Sequence, residues 1–142
     1  MLEREGEGWR LAWDAMRSPF PLLVGGQGWA IELTSAEGQV LHRAVEMVCR
    51  QHHDLAGTLM DEEAITLEFH GTLPGPDTED GGSLWLALEG DRHRWTLRLI
   101  LQPPSGQRAV EGAWCVGAAA AFAQALSAPD WPFVAVREGP SP

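Results

Sequence analysis

The sequence predicts an α+β fold, with antiparallel sheets in a strands–helix–strands–helix order. Three observations carry that reading. Tryptophan, present seven times in 142 residues that contain no tyrosine, recurs inside short alternating segments such as Trp9-Arg10-Leu11 and Arg94-Trp95-Thr96-Leu97. Large apolar residues on a period of two mark half-buried strands. One long stretch changes to three- and four-residue spacing, the period of an amphipathic helix. Clusters of glycine and proline punctuate the segments in between.

Residues 1–7 are acidic and read as a loose leader. Trp9, Leu11 and Trp13 alternate with Arg10, Ala12 and Asp14, the pattern of a first strand. Met16-Arg17-Ser18-Pro19 is a turn, because proline lacks a donor and restricts the residue before it. Leu22-Leu23-Val24 and residues 29–33 flank Gly25-Gly26-Gln27-Gly28, which predicts a β-hairpin. Thr34 and Glu37 then have the spacing of a capping box, in which hydroxyl and carboxylate satisfy each other's backbone donors. Leu41, Ala44, Val45, Val48, Leu55 and Leu59 form the stripe of the helix that follows, with Gly57 marking a break near its end.

A second β-block follows the helix. Ile65, Leu67 and Phe69 alternate with Thr66, Glu68 and His70. Residues 71–82 are rich in glycine, proline and acids and read as a mobile loop. Leu84, Leu86 and Leu88 alternate with Trp85, Ala87 and Glu89, and Glu89-Gly90-Asp91-Arg92 turns the chain into Trp95, Leu97, Leu99 and Leu101. Residues 110–114 are a candidate for one more short strand. The alanine-rich segment 116–126, with Phe122 and Leu126 four apart, predicts a second helix that Pro129 ends. The chain is thus read as a single α+β domain over 1–128 with a mobile loop at 71–82. A C-terminal tail occupies 129–142, where Trp131 and Phe133 are the residues able to anchor it.

Composition narrows the class. Hydrophobic residues make up 44%, which suits a globular chain. Cys49 and Cys115 are too few for a disulfide framework, and the acidic start has no apolar stretch of the signal-peptide kind. No segment approaches the roughly 18 apolar residues of a membrane helix. A cytoplasmic protein with no membrane association is the expectation. Twenty acids face ten bases, all arginine, for a formal net charge of −10. Such a surface repels phosphate backbones on average, so nucleic acid is a disfavoured partner unless arginines cluster locally.

Four stretches carry a resemblance. They are Glu7-Gly8-Trp9-Arg10, Gly25-Gly26-Gln27-Gly28-Trp29-Ala30-Ile31-Glu32-Leu33-Thr34, Leu86-Ala87-Leu88-Glu89-Gly90-Asp91-Arg92 and Gly112-Ala113-Trp114. Over roughly residues 1–127 the chain resembles a family of small cyanobacterial proteins of unknown function. The resemblance implies a fold similar to the Whirly-type single-stranded-DNA-binding transcriptional regulators, two sheet-plus-helix units packed together. It implies no activity, since fold alone licenses none.

The polar side of the sheet is the leading candidate surface. Alternation directs Arg10, Glu32, Glu68, His70, Arg94 and Arg98 away from the helix-packed face, with Trp85 among them. Arg10, Trp85, Arg94 and Arg98 are the candidate binding residues, because arginines and an exposed indole are the ingredients of a docking surface or of a base-stacking groove. The plainer alternative is a solvated face whose arginines pair with Glu32, Glu68 and Glu89 across strands. Trp9, Trp29 and Trp95 share the phase of aliphatic neighbours and are expected in the core. Trp85 lies out of phase with Leu84, Leu86 and Leu88, so it is either covered by another layer or part of an interface.

Other chemistry has less support. His42, Cys49, His52 and His53 offer donors along one helix, but zinc calls for paired ligand spacings at two separate places. Cys49 is better read as a small core residue and the histidines as surface ones, so no metal or other cofactor is expected. Asp77, Glu79 and Asp80 lack the ligand order of a calcium loop. Gly25-Gly26-Gln27-Gly28 is not a dinucleotide fingerprint, because a strand follows it. Glu89, Asp91 and the run Asp61-Glu62-Glu63 are explained by turns. The expectation is a non-enzymatic binding or accessory protein that engages a protein partner or a second copy of itself through the sheet face. Single-stranded nucleic-acid binding and small-molecule binding in an aromatic-lined pocket are the alternatives.

Overall fold

Two four-stranded antiparallel meanders, each followed by a helix, make up the described chain, an α+β architecture. The structure is a computed structural model and describes residues 1–74, 80–104 and 108–132. The first sheet has the order β1 (Leu2–Gly6), β2 (Trp9–Trp13), β3 (Leu22–Gly26), β4 (Trp29–Leu33), and α1 (Ser35–Ala56) follows it. The second has the order β5 (Ile65–Pro74), β6 (Asp80–Gly90), β7 (Trp95–Gln102), β8 (Val110–Trp114), followed by α2 (Ala118–Leu126). The helices exchange sheets: α1 packs on β5 and β6, whereas α2 packs chiefly on β2 and also on β7.

Register sorts each sheet into an inner and an outer face. In the first sheet Leu11 pairs with Val24 and Val24 with Ile31, while Trp13, Leu22 and Leu33 form the adjacent row. In the second, Leu67, Leu88, Leu97 and Trp114 stand in one row and Phe69, Leu86, Leu99 and Gly112 in the next. Leu11, Leu22, Leu33, Leu84, Leu86, Leu88, Leu97 and Leu99 are all at 0% exposure. Each such leucine contributes about 1.5–3 kcal/mol by leaving water.

α1 starts as expected. Glu37 N–H donates to Thr34 Oγ1 at 3.1 Å and Thr34 N–H donates to Glu37 Oε1 at 2.8 Å, a complete capping box. Its buried stripe runs through Val40, Leu41, Ala44, Val45 and Val48 and then takes His52 in place of Leu55. Leu55 is 40% exposed, and the helix ends at Ala56 with Gly57 as its cap. The expectation that the histidines are surface residues is therefore corrected for His42 and His52, each 7% exposed. Burial of His52 is tolerated because its Nε2 lies 2.9 Å from the Asp91 carbonyl and its ring sits 5.7 Å from that of Trp95.

Two further expectations change, and the expected anchor at Trp131 is met. The leader is strand β1, hydrogen-bonded along β2 from Leu2 to Gly6. Its charges disguise it: Glu3 and Glu5 pair laterally with Arg10, while Arg4 lies over the Trp131 ring and bonds Asp130 at 2.7 Å. The flanks of the expected loop 71–82 are strand as well, because β5 runs to Pro74 and β6 begins at Asp80, while residues 75–79 lie outside the described residues. Gly82 serves a close backbone approach there: φ is +102° and a Cβ would sit 2.1 Å from the Gln102 carbonyl oxygen. In the segment read as a tail, Trp131 is 1% exposed and its indole N–H donates to Ala125 O at 2.8 Å. Phe133 and the rest of 133–142 lie outside the described residues.

The sheets are joined by a reciprocal indole clasp. Trp29 of β4 donates its Nε1–H to Ala113 O at 3.0 Å, and Trp114 of β8 donates to Gly25 O at 2.9 Å. The two rings meet edge to face at 5.0 Å, and Trp114 stacks on Phe122 of α2 at 4.2 Å. Glycine makes room for this: a Cβ on Gly26 or on Gly112 would lie 2.5 Å from the Trp29 indole. Trp9, Trp29 and Trp95, expected in the core, face it but are half-buried; Trp114 and Trp131 are the wholly enclosed indoles.

Candidate functional site

The outer face of the second sheet is built in rows across four strands. His70, Trp85, Ile100 and Glu111 form one row, and Glu68, Ala87, Arg98 and Ala113 form the next. Thr66, Glu89 and Thr96 form a third. Trp85 lies out of phase with the core leucines because it projects to this side. It is half-buried, and its exposure is limited by neighbours within the sheet. The Arg98 guanidinium sits 5.0 Å from the centroid of the indole ring, a cation–π contact worth about 0.5–1 kcal/mol at an exposed site. On the other side Trp85 Nε1–H reaches Glu68 Oε1 at 3.5 Å. Ala87 is wholly buried between them, and Ile100 stands half-buried beside Trp85. The result is an oriented indole with an adjoining aliphatic side chain, framed by one guanidinium and the carboxylates of Glu68, Glu89 and Glu111.

The structure brings together Trp85 and Arg98 but separates them from the other two candidates. Arg10 belongs to the outer face of the first sheet, where it pairs with Glu3 at 3.3 Å and Glu5 at 4.0 Å. Glu32 lies on that same face and pairs with Arg17. Arg94 stands exposed in the turn between β6 and β7, where its backbone N–H donates to Asp91 Oδ1 at 2.9 Å. That bond and the matching one from His93 N–H, at 2.8 Å, hold the Asp91 carboxyl below its usual range. One polar side read from alternation is thus two outer faces and a turn. Strand phase carries no information about which sheet a strand joins.

An open cleft of about 390 Å³ lies elsewhere, lined by Glu7, Trp9, Gln27, Cys115, Val116 and the N-terminus of α2. None of Arg10, Trp85, Arg94 and Arg98 lines it. Sequence reasoning missed it because it gathers the β1–β2, β3–β4 and β8–α2 connections, which are far apart along the chain. Trp9, expected in the core, is the aromatic side chain in its lining. Along α1, Cys49 is largely buried, which pushes its thiol up to about 11 and away from the thiolate a metal would take. Among the described residues no group of three His, Cys, Asp or Glu side chains is placed to hold a metal ion. Among them, too, no helix is long and apolar enough to cross a membrane.

Comparison with known proteins places the fold in a family. A crystal structure of a protein of unknown function from Prochlorococcus sp. NATL2A, described as from the DUF155 family, is similar to this chain at 35% identity. The superposition has a TM-score of 0.76 and covers 89% of this chain and 96% of that one. No curated protein matches the sequence. The family described as a domain of unknown function, DUF1818, matches residues 4–128, and the chain belongs to that family.

Proposed function

We propose that this chain is a non-enzymatic docking module that binds a protein partner through the outer face of the β5–β8 sheet. The observation that carries the reading is Trp85, set half-exposed on an open sheet face with the Arg98 guanidinium over its ring and Ile100 alongside. Indole and guanidinium are the side chains most enriched at the energetic centres of protein interfaces, and a pre-oriented indole loses little entropy on binding. The acids Glu68, Glu89 and Glu111 around a single arginine favour a partner that presents basic groups. We place the module in the cytoplasm, because two cysteines are too few for the disulfide framework of a secreted domain.

Single-stranded nucleic acid is the second reading, suggested by the resemblance to Whirly-type proteins and by an indole free to stack. Two meander-plus-helix units are the arrangement expected of a Whirly-like protein, and the Prochlorococcus relative supports a cyanobacterial origin. Base stacking on Trp85 would contribute about 1–3 kcal/mol. The surrounding carboxylates and the net charge of −10 oppose a phosphate backbone, which ranks this reading second.

The test compares wild type with Arg98→Glu in two assays. One is capture of partners from lysate of the source organism. The other is titration with a single-stranded oligonucleotide at low salt, followed by tryptophan fluorescence. Docking predicts a protein partner lost in the variant and no salt-dependent quenching. Quenching that weakens with salt and vanishes in the variant would replace the docking reading with nucleic-acid binding.

A further inference from the structure

We infer that two copies of this chain join edge to edge through β5, in an antiparallel pair whose two-fold axis passes through Phe69, to make one continuous eight-stranded sheet. The order β5-β6-β7-β8 leaves β5 with a strand on one side only among the described residues. A strand edge offers a row of unpaired N–H and C=O groups, and most proteins blunt it with a short strand, a lysine, a proline or a bulge. β5 is ten residues long, against about 5–6 for an ordinary strand. It has no lysine, and its irregularity and its proline lie together at the far end, between Thr72 and Pro74.

Burial along the strand points the same way. On the inner face Ile65, Leu67 and Phe69 are half-buried, whereas Leu84, Leu86 and Leu88 of β6 and Leu97 and Leu99 of β7 are wholly buried. Apolar surface therefore opens at the edge, although α1 packs beneath β5. On the outer face Thr66, Glu68, His70 and Thr72 are exposed, and His70 has no hydrogen bond or ion pair among the described residues.

Charge selects the register. Side chains keep their faces only when the two-fold axis passes through a residue. An axis at Glu68 sets carboxylate against carboxylate, one at His70 sets imidazole against imidazole, and one at Leu67 leaves Glu68 against a threonine. With the axis at Phe69, Glu68 opposes the partner's His70, and the reciprocal pair forms on the other side. Thr66 then faces the partner's Thr72, Leu67 the partner's Gly71, and Ile65 the partner's Leu73. Opposite charges directly across strands stabilise and like charges destabilise. The Glu68–His70 contact is an ion pair when the imidazole is protonated and an N–H···O bond when it is neutral. The joined sheet sets two Trp85–Arg98 pairs on one face, their β6 strands three strand spacings apart, roughly 14 Å.

Sedimentation equilibrium of the full chain tests this in moderate salt, which screens the repulsion between two acidic copies. A concentration-dependent dimer is the expected result. His70→Glu, and separately Glu68→His, set like groups opposite each other twice per dimer and raise the dissociation constant on the order of tenfold. The double variant E68H/H70E has the wild-type composition with the pair reversed, and it restores the affinity. Near-UV circular dichroism of the tryptophans checks that each variant is folded. A monomer at hundreds of micromolar, a dimer indifferent to His70→Glu, or a double variant no tighter than the singles would each overturn the inference.

Discussion

Replacing Trp114 by phenylalanine tests the joint between the sheets. Trp114 is fully buried, donates to Gly25 O at 2.9 Å, stacks on Phe122 and meets Trp29 edge to face. Phenylalanine keeps an apolar ring but removes the donor, and losing the partner of a buried group costs about 1–3 kcal/mol. The smaller ring also leaves a void; complete truncation of a buried tryptophan costs about 3–5 kcal/mol, so this partial one adds about 1–2. A loss of roughly 2–5 kcal/mol is expected in urea unfolding followed by far-ultraviolet circular dichroism, a probe independent of indole fluorescence. Trp29→Phe, at a half-buried site, costs less. Because each indole bonds the backbone next to the other, the double variant shows a coupling of about 0.5–1.5 kcal/mol. A loss below about 1 kcal/mol for Trp114→Phe, or additivity within about 0.3, would refute the clasp as the joint.

Other expectations follow from the same contacts. Thr34→Ala removes one half of the α1 capping box and lowers stability by about 1 kcal/mol, read from the urea midpoint. Gly112→Ala drives a Cβ to 2.5 Å from the Trp29 ring, so it breaks the bond from that indole to Ala113 and lowers the melting temperature. In the native protein a thiol reagent at pH 8 labels the exposed Cys115 and spares Cys49, whereas denatured protein takes two labels, as intact mass shows. Burial raises the Cys49 thiol from 9.0 to about 11, so the fold favours the neutral form. That contribution is complete below pH 9, is lost as pH rises through 11, and is absent from the pH profile of Cys49→Ala.

What could be read from the chain was what local periodicity encodes. The Gly25–Gly28 hairpin, the Thr34–Glu37 cap and the alternation of β6 and β7 each depend on neighbours a few residues away, and the structure agrees with them. β1 was hidden because its charged residues find partners sideways on β2 and at Asp130, so no alternation of apolar residues announces it. Gly82 looked like loop composition but marks where β6 comes too close to Gln102 for any side chain. His52 could not be assigned to the core without Asp91, its acceptor 39 residues away. The candidate site divides along the same line. The outward phase of Trp85 and Arg98 was legible, whereas the removal of Arg10 to another sheet depends on how strands group.

Docking of a protein partner on the outer face of the β5–β8 sheet is the proposal on which the functional reading stands. Capture from native lysate with Trp85→Ala/Arg98→Glu, set beside Arg10→Glu on the other sheet, tests it most directly. The expected result is a partner held by wild type and by Arg10→Glu but lost from the double variant while its fold, checked by far-ultraviolet circular dichroism, is kept. A partner retained by the double variant and lost from Arg10→Glu would contradict it.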